Sequence, residues 1–351
     1  MDRRQFMKTS MRRLSSMAVA GVVPVSVVQV AFATPNANPG THSEQSVRDF
    51  TFACISDAHL QQIRGSRFVA RQDQALERAV SEINQMHPRP DFVMFGGDLA
   101  QLGTMAELDH GADILSRLHS PLHMVMGEHD YYLDLGAHWR ALFGNPSYSF
   151  DHKGVHFIVL NSILTCDDWT LKTWASAERR MAEMTGLDSP RMSPFMVGAA
   201  QRQWLQKDLD NTDKATPVVV LSHAPLQKIR KAWNFWTDDA DLLQAMLAPF
   251  AQVNVIYGHV HQRLHSRMGN IRFDSVVATA WPWPSPHNSR QAGRQPFAGP
   301  DLIGSGPGRR CCTVAAGQPA QRPRGCHRRG RGAGLSGFQG ILTRPIWLLL
   351  L

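Results

Sequence analysis

Cysteine is scarce in this chain of 351 residues: there are five, and three of them (Cys311, Cys312 and Cys326) lie near the C-terminal end. That rules out a small domain stapled by disulfides. Charged residues are also few, at 19%, while 43% are hydrophobic, a balance that fits neither a disordered chain nor an all-membrane protein. After residue 33 no apolar run is long enough to cross a bilayer. The net charge of +8 has no basic body behind it: residues 1–33 carry +4, residues 288–351 carry +9, and 34–287 carry −5. A mildly acidic body argues against a polyanion-binding surface, so no specific nucleic acid partner is expected.

The two ends differ in character from the body. Arg3-Arg4, Phe6 and Lys8 precede a moderately apolar stretch from Leu14 to Phe32, which closes on the small-x-small pattern Ala31-Phe32-Ala33. Residues 1–33 resemble a bacterial twin-arginine signal, which implies the twin-arginine export machinery as a partner and a periplasmic or secreted product. Residues 34–47 read as a polar linker. From Asn288 onward Arg, Gly and Pro dominate, lysine vanishes, and helix and strand patterns fade. Residues 288–351 are expected to be an aberrant tail, out of frame or disordered.

Between the ends, apolar runs alternate with helical periodicities. Strands are expected at 50–56, 91–97, 122–127, 218–222, 253–258 and 271–280, and a hairpin over 147–161 turning at Lys153-Gly154. Helices are expected at 69–87, 106–119, 135–143, 199–211 and 239–249, with 162–197 as an insertion. The pattern predicts one α/β domain over 48–287.

Metal-capable residues follow almost every expected strand. They are Asp57-Ala58-His59, Gly97-Asp98, Gly127-Glu128-His129-Asp130, Ser222-His223 and Gly258-His259-Val260-His261. Ligands in open α/β folds gather at the carboxyl ends of strands, so five such turns can converge on one crevice. A lone Asp-x-His or His-x-His among sixteen histidines means little. Five in order, each after an apolar strand, are a different matter. His42, His87, His119, His152 and His287 read as surface or packing residues, and Cys54 as a small buried hydrophobe.

Together these motifs resemble the calcineurin-like metallophosphoesterase superfamily, whose pattern is D-x-H, G-D, G-N-H-[DE], H, G-H-x-H, and whose bacterial phosphodiesterase branch has similar spacing. The resemblance implies a four-layer α/β/β/α sandwich of two mixed sheets flanked by helices. It implies that Asp57, His59 and His261 hold one metal ion and that Asp98 bridges to a second, held by His223, His259 and position 128. His129 would be the catalytic imidazole beside the metals, with Asp130 placed to orient it. The G-D motif continues Leu99-Ala100-Gln101, without the tyrosine ligand of purple acid phosphatases.

The donor set suits Mn, Fe, Zn or Co, as divalent or mixed-valence pairs. Two such ions about 3.5–4 Å apart can share a bridging hydroxide and clamp a phosphoryl group for in-line attack. Hydrolysis of a small phosphomonoester or phosphodiester is therefore expected. Glu128 stands where the family pattern has Asn. Its extra charge leaves a dinuclear centre with one net positive charge rather than two, which weakens attraction for phosphate. That departure keeps open a catalytically silent metal-binding protein, beside a phosphoprotein or lipid phosphatase. Tyr131, Tyr132, His138, Trp233, Trp236, Trp281 and Trp283 are candidates for a substrate wall.

Overall fold

Successive strand side chains point to opposite faces, and in β2 (Phe50–Ile55) both faces are buried. Phe50, Phe52 and Cys54 enter one apolar cluster, while Ala53 and Ile55 enter another. The same division runs through β5 (Phe92–Phe95), β8 (Val155–Leu160) and β9 (Val218–Ser222). Such strands lie between two packed layers, which is why they read as unbroken apolar runs. The structure is a computed structural model. It describes residues 47–131, 133–163, 176, 179 and 195–283, and the backbone of Ser26–Phe32 and Arg310–Ala316.

Two mixed sheets stack face to face. The first has the order β1 (Ser26–Phe32), β15 (Arg310–Ala316), β2, β5, β6 (Leu122–Met124). The second runs β13 (His265–Met268), β14 (Ile271–Ser275), β12 (Val253–Tyr257), β9, β8, β7 (Tyr148–His152). Strands β2, β5 and β6 are parallel to one another, as are β8, β9, β12 and β14. Small hairpins of β3 (Gln62–Arg64) with β4 (Arg67–Phe68), and of β10 (Lys228–Arg230) with β11 (Phe235–Trp236), stand apart from the sheets.

Helices cover both outer faces. On the first sheet, α1 (Ala70–Asn84) buries Leu76, Ala79, Val80 and Ile83. Beside it, α2 (Met105–Leu115) and α4 (Ala137–Phe143) add Leu108, Ile114 and Trp139, and α3 (Glu128–Tyr131) is a single turn after β6. A capping box starts α2: the Glu107 N–H donates to Thr104 Oγ1, and the Glu107 carboxylate accepts from the Thr104 and Leu102 N–H groups. On the second sheet, α5 (Ala199–Asp210) and α6 (Ala240–Leu247) bury Leu205, Leu209, Leu243 and Leu247. The architecture is the expected α/β/β/α sandwich.

Some boundaries differ from the sequence reading. The strand expected over 122–127 stops at Met124, and 128–131 turns into helix. The strand expected over 271–280 ends at Ser275, and its partner β13 was not foreseen. The hairpin turn does fall at Lys153-Gly154, both with positive φ (48° and 85°), as a two-residue turn matched to strand twist requires. Strands β1 and β15 fall in segments read as export signal and tail. The rest of those segments, the linker up to residue 46, Tyr132 and most of the 162–197 insertion lie outside the described residues. Among the described residues no helix is long and apolar enough to cross a membrane.

Between the sheets Phe157 meets the rings of Phe52, Phe92 and Phe150 at 5.0–5.5 Å. Phe157→Ala is expected to lower unfolding free energy by about 3–5 kcal/mol. Leu242→Ala, at an exposed position, is expected to stay within about 0.5 kcal/mol. Urea denaturation of both variants checks this.

Candidate metal centre

The parallel strands of both sheets deliver their C-terminal ends to one edge of the sandwich. Asp57 and His59 follow β2, Asp98 follows β5, Glu128 and His129 open α3, His223 follows β9, and His259 and His261 follow β12. The turns are stitched together by backbone: Asp57 N–H donates to the Gly97 carbonyl at 2.9 Å, and His59 N–H to the Asp98 carbonyl at 3.0 Å. His223 crosses from the second sheet to the first, its Nδ1–H donating to the Gly96 carbonyl at 2.7 Å.

These turns are strained. Among the described residues, eight non-glycine positions have positive φ, and five of them are Asp57, His59, Asp98, His259 and His261. Such backbone costs on the order of 1–3 kcal/mol per residue and persists where the surroundings enforce it, as at functional sites. Two glycines make room. A Cβ on Gly127 would run into Asp98 Oδ1, and one on Gly97 (φ +101°) would run into the His223 ring.

All seven expected ligands meet here, each no more than 6% exposed. His261 Nε2 lies 3.3 Å from Asp57 Oδ1 and 3.0 Å from His59 Nε2. Asp98 Oδ2 stands between two groups, 3.7 Å from His59 Nε2 and 3.2 Å from His223 Nε2. Glu128 touches His223 Nε2 with one oxygen and His259 Nδ1 with the other, both at 2.8 Å. Asp57, His59 and His261 therefore form one trio of donors, and Glu128, His223 and His259 another, with Asp98 in reach of both.

The residues fit metal ions. Asp57, Asp98 and Glu128 are almost wholly buried, and their ion-pair partners are all histidines. Asp57 Oδ2 is buried with no hydrogen-bond partner. Buried charge of this kind is stable when paired or when it coordinates metal. Second contacts fix the rings: Nδ1–H of His261 donates to the Trp281 carbonyl at 2.7 Å, and Nδ1–H of His129 to the Gln101 carbonyl at 2.6 Å.

The electrostatics agree. Burial works to raise the Glu128 carboxyl, but the flanking His259 and His223 overcome it and hold its pKa well below the ordinary value. Burial works to lower His223, and the Asp98 and Glu128 charges overcome it, holding the imidazole well above its ordinary value. His59, buried among His129 and His261, is pushed well down and stays a neutral donor.

The residues 50–263 match the family model of the calcineurin-like phosphoesterases. The chain belongs to that family. Membership makes it a hydrolase of phosphate ester bonds in a metal-dependent family. The chain is 23% identical over 234 residues to a 3',5'-cyclic adenosine monophosphate phosphodiesterase of Pseudomonas aeruginosa, covering 64% of this chain and 74% of that one. It is 22% identical over 240 residues to a 3',5'-cyclic-nucleotide phosphodiesterase of a Nostoc species, covering 67% and 80%. Among solved structures, a dimetal phosphatase from Danio rerio aligns with a TM-score of 0.49 at 17% identity, covering 67% of this chain and 88% of that chain.

Two expectations about this phosphoesterase's site need correction. Asp130 does not orient His129: its carboxylate accepts from the Ala100 and Gly127 N–H groups at 3.0 and 3.1 Å, while Gln101 holds the ring. Burial, with the Asp98 charge adding to it, pushes Asp130 up to about 7. The aromatic wall is mostly core. Trp233 and Trp283 are 2% and 6% exposed and pack in the second-sheet cluster, because their rings fill space behind the ligands. Trp281 packs against His59 with the rings tilted by 31° and their centroids 4.6 Å apart. His138 pairs with Asp109 on the surface, and Tyr131 packs on Ile163 and Phe195. Sequence reasoning missed Gly96, Gln101, Trp281 and Asn234 as ring holders, since they act through backbone carbonyls that any residue carries.

Metal uptake at the Glu128 trio is expected to release protons. The His223 pKa is raised, so a proton competes with metal below it, and affinity rises as pH increases through and above about 6.5. Calorimetric titration with Mn²⁺ in buffers of different ionisation enthalpy checks the release. Gly127→Ala, which drives a methyl group at Asp98, is expected to lower metal content while the fold's circular dichroism remains.

Proposed function

We propose that this chain hydrolyses a small phosphodiester at a dinuclear centre. The observation that carries the reading is the pair of donor trios joined by Asp98. Asp57, His59 and His261 would hold one ion; Glu128, His223 and His259 would hold the other; Asp98 would be shared. When bound, such ions supply Lewis acidity toward phosphoryl oxygens and a water-derived nucleophile near neutral pH. Imidazole with carboxylate suits Mn, Fe, Zn or Co. The cyclic-nucleotide relatives support a diester over a monoester.

The chain's own residues do the rest. The Gln101 carbonyl takes the Nδ1–H of His129, so Nε2 is the nitrogen that carries a proton to the leaving oxygen. The T-shaped contact of the His129 and His59 rings, centroids 4.7 Å apart, keeps that imidazole against the first trio. Glu128 binds in place of the family's Asn. Its longer side chain spans His223 and His259, and its charge tempers the pull on phosphate.

The export signal over 1–33 belongs to the same reading, supported by Arg3-Arg4 and Ala31-Phe32-Ala33. Cleavage there would remove the edge strand β1 and leave every site residue in place.

Turnover of bis-p-nitrophenyl phosphate with added Mn²⁺ tests the activity. Metal bound at full occupancy without turnover would favour a silent metal-binding protein instead. His129→Ala is expected to slow esters with alkyl leaving groups by about 10²- to 10⁴-fold, and p-nitrophenyl esters much less, because nitrophenolate leaves without a proton. Glu128→Ala is expected to reduce bound metal from two ions per chain to one. Unchanged stoichiometry would remove Glu128 from the ligand set.

A further inference from the structure

Three imidazoles at the site share one orientation. His223, His129 and His261 give Nδ1–H to the carbonyls of Gly96, Gln101 and Trp281, at 2.6–2.7 Å. His259 is turned the other way. Its Nε2 lies 3.1 Å from the Asn234 carbonyl, and its Nδ1 lies 2.8 Å from Glu128 Oε1. A carbonyl only accepts, so Nε2 carries a hydrogen whether or not metal is present; Nδ1 donates to the Glu128 carboxylate without metal and is the nitrogen whose lone pair would face an ion in its place.

We propose that Asn234 is a positioning residue for the second metal, acting through its backbone carbonyl to select which nitrogen of His259 faces the centre. The inference rests on the dinuclear reading above and adds the β10–β11 hairpin, which lies outside all five strand-end motifs, to the machinery of the site.

The hairpin is built for this. Lys231–Trp233 forms one 3-10 turn, closed by the Asn234 N–H donating to the Lys231 carbonyl at 3.0 Å. Asn234 then enters the left-handed region, φ 61° and ψ 21°, which turns the chain back along β11. Asn is among the few side-chain-bearing residues that visit this region readily. It is 2% exposed, and its neighbours Trp233 and Phe235 anchor in the core. Phe235 and Phe195 meet the His259 ring edge-on, at 5.6 and 4.9 Å, so the ring cannot swing to present its other nitrogen without displacing them. Glu128 makes the orientation matter. Its two oxygens already span His223 and His259, and a flipped ring would withdraw Nδ1 of His259 from Glu128.

The test uses Asn234→Gly and Asn234→Val in the full chain, with Zn²⁺ counted per chain and titrated by calorimetry. Glycine keeps the left-handed backbone, so its carbonyl stays in place and both ions bind as in the parent. Valine strains it, and affinity for the second ion falls roughly 5- to 150-fold, the equivalent of the strain on a bulky residue with positive φ, while the first ion is unaffected. Equal losses in both variants would assign the effect to the side-chain amide, and an unchanged Val variant would remove the hairpin from the site; either overturns the proposal. A long-range ¹H–¹⁵N spectrum of the Zn²⁺-loaded parent reads which nitrogen of His259 keeps its hydrogen, independently of activity. Hydrogen on Nε2 is expected, and hydrogen on Nδ1 overturns the proposal even if the Val variant fails to fold. A parent with one ion or none would instead fail the dinuclear reading.

Discussion

Three buried carboxylates whose ion-pair partners are imidazoles set the terms for this molecule. Asp57, Asp98 and Glu128 are each 2% exposed or less. Ionised groups in such a place demand either positive partners or protons. Histidine supplies both options. Without metal, His223 and His259 are held toward the charged form by their neighbours, with burial opposing. In the proposed metal-bound state the same nitrogens would be neutral donors and the ions would take over the compensation. The sandwich must therefore hold a polar cluster whose charge state depends on what it binds.

The fold meets that demand by geometry. Parallel strands from two sheets end at one edge, and the residues just beyond them are forced through left-handed turns that aim side chains inward. The strain is carried by a core buried on both faces of each central strand. Rigidity extends to the rings, where main-chain carbonyls fix imidazole orientation from behind. An unoriented imidazole would lose affinity by sampling wrong rotations. Here Gly96, Gln101, Trp281 and Asn234 remove that freedom.

Much of this was legible in the sequence. Apolar runs at β2, β5, β9 and β12 announce doubly buried strands, and the motif after each announces its ligands, because strand ends in α/β folds face a common crevice. The ring holders were not legible, since a carbonyl leaves no trace in residue type. The same gap produced the error at Asp130: an acid following His129 in sequence looks like its partner, yet the turn of α3 points that carboxylate at the Ala100 and Gly127 N–H groups. The tryptophans misled for another reason. Large rings near a site fill volume as readily as they bind ligands, and Trp233 and Trp283 fill it. Strand β13, with the pattern His-Ser-Arg-Met, has no apolar face to reveal it.

The proposed chemistry depends on two ions sharing Asp98. Anomalous X-ray diffraction from crystals of the Mn²⁺-loaded protein addresses it directly. Two anomalous peaks are predicted, one within Asp57, His59 and His261 and the other within Glu128, His223 and His259, with Asp98 contacting both. A single peak, or two peaks without Asp98 between them, would contradict it.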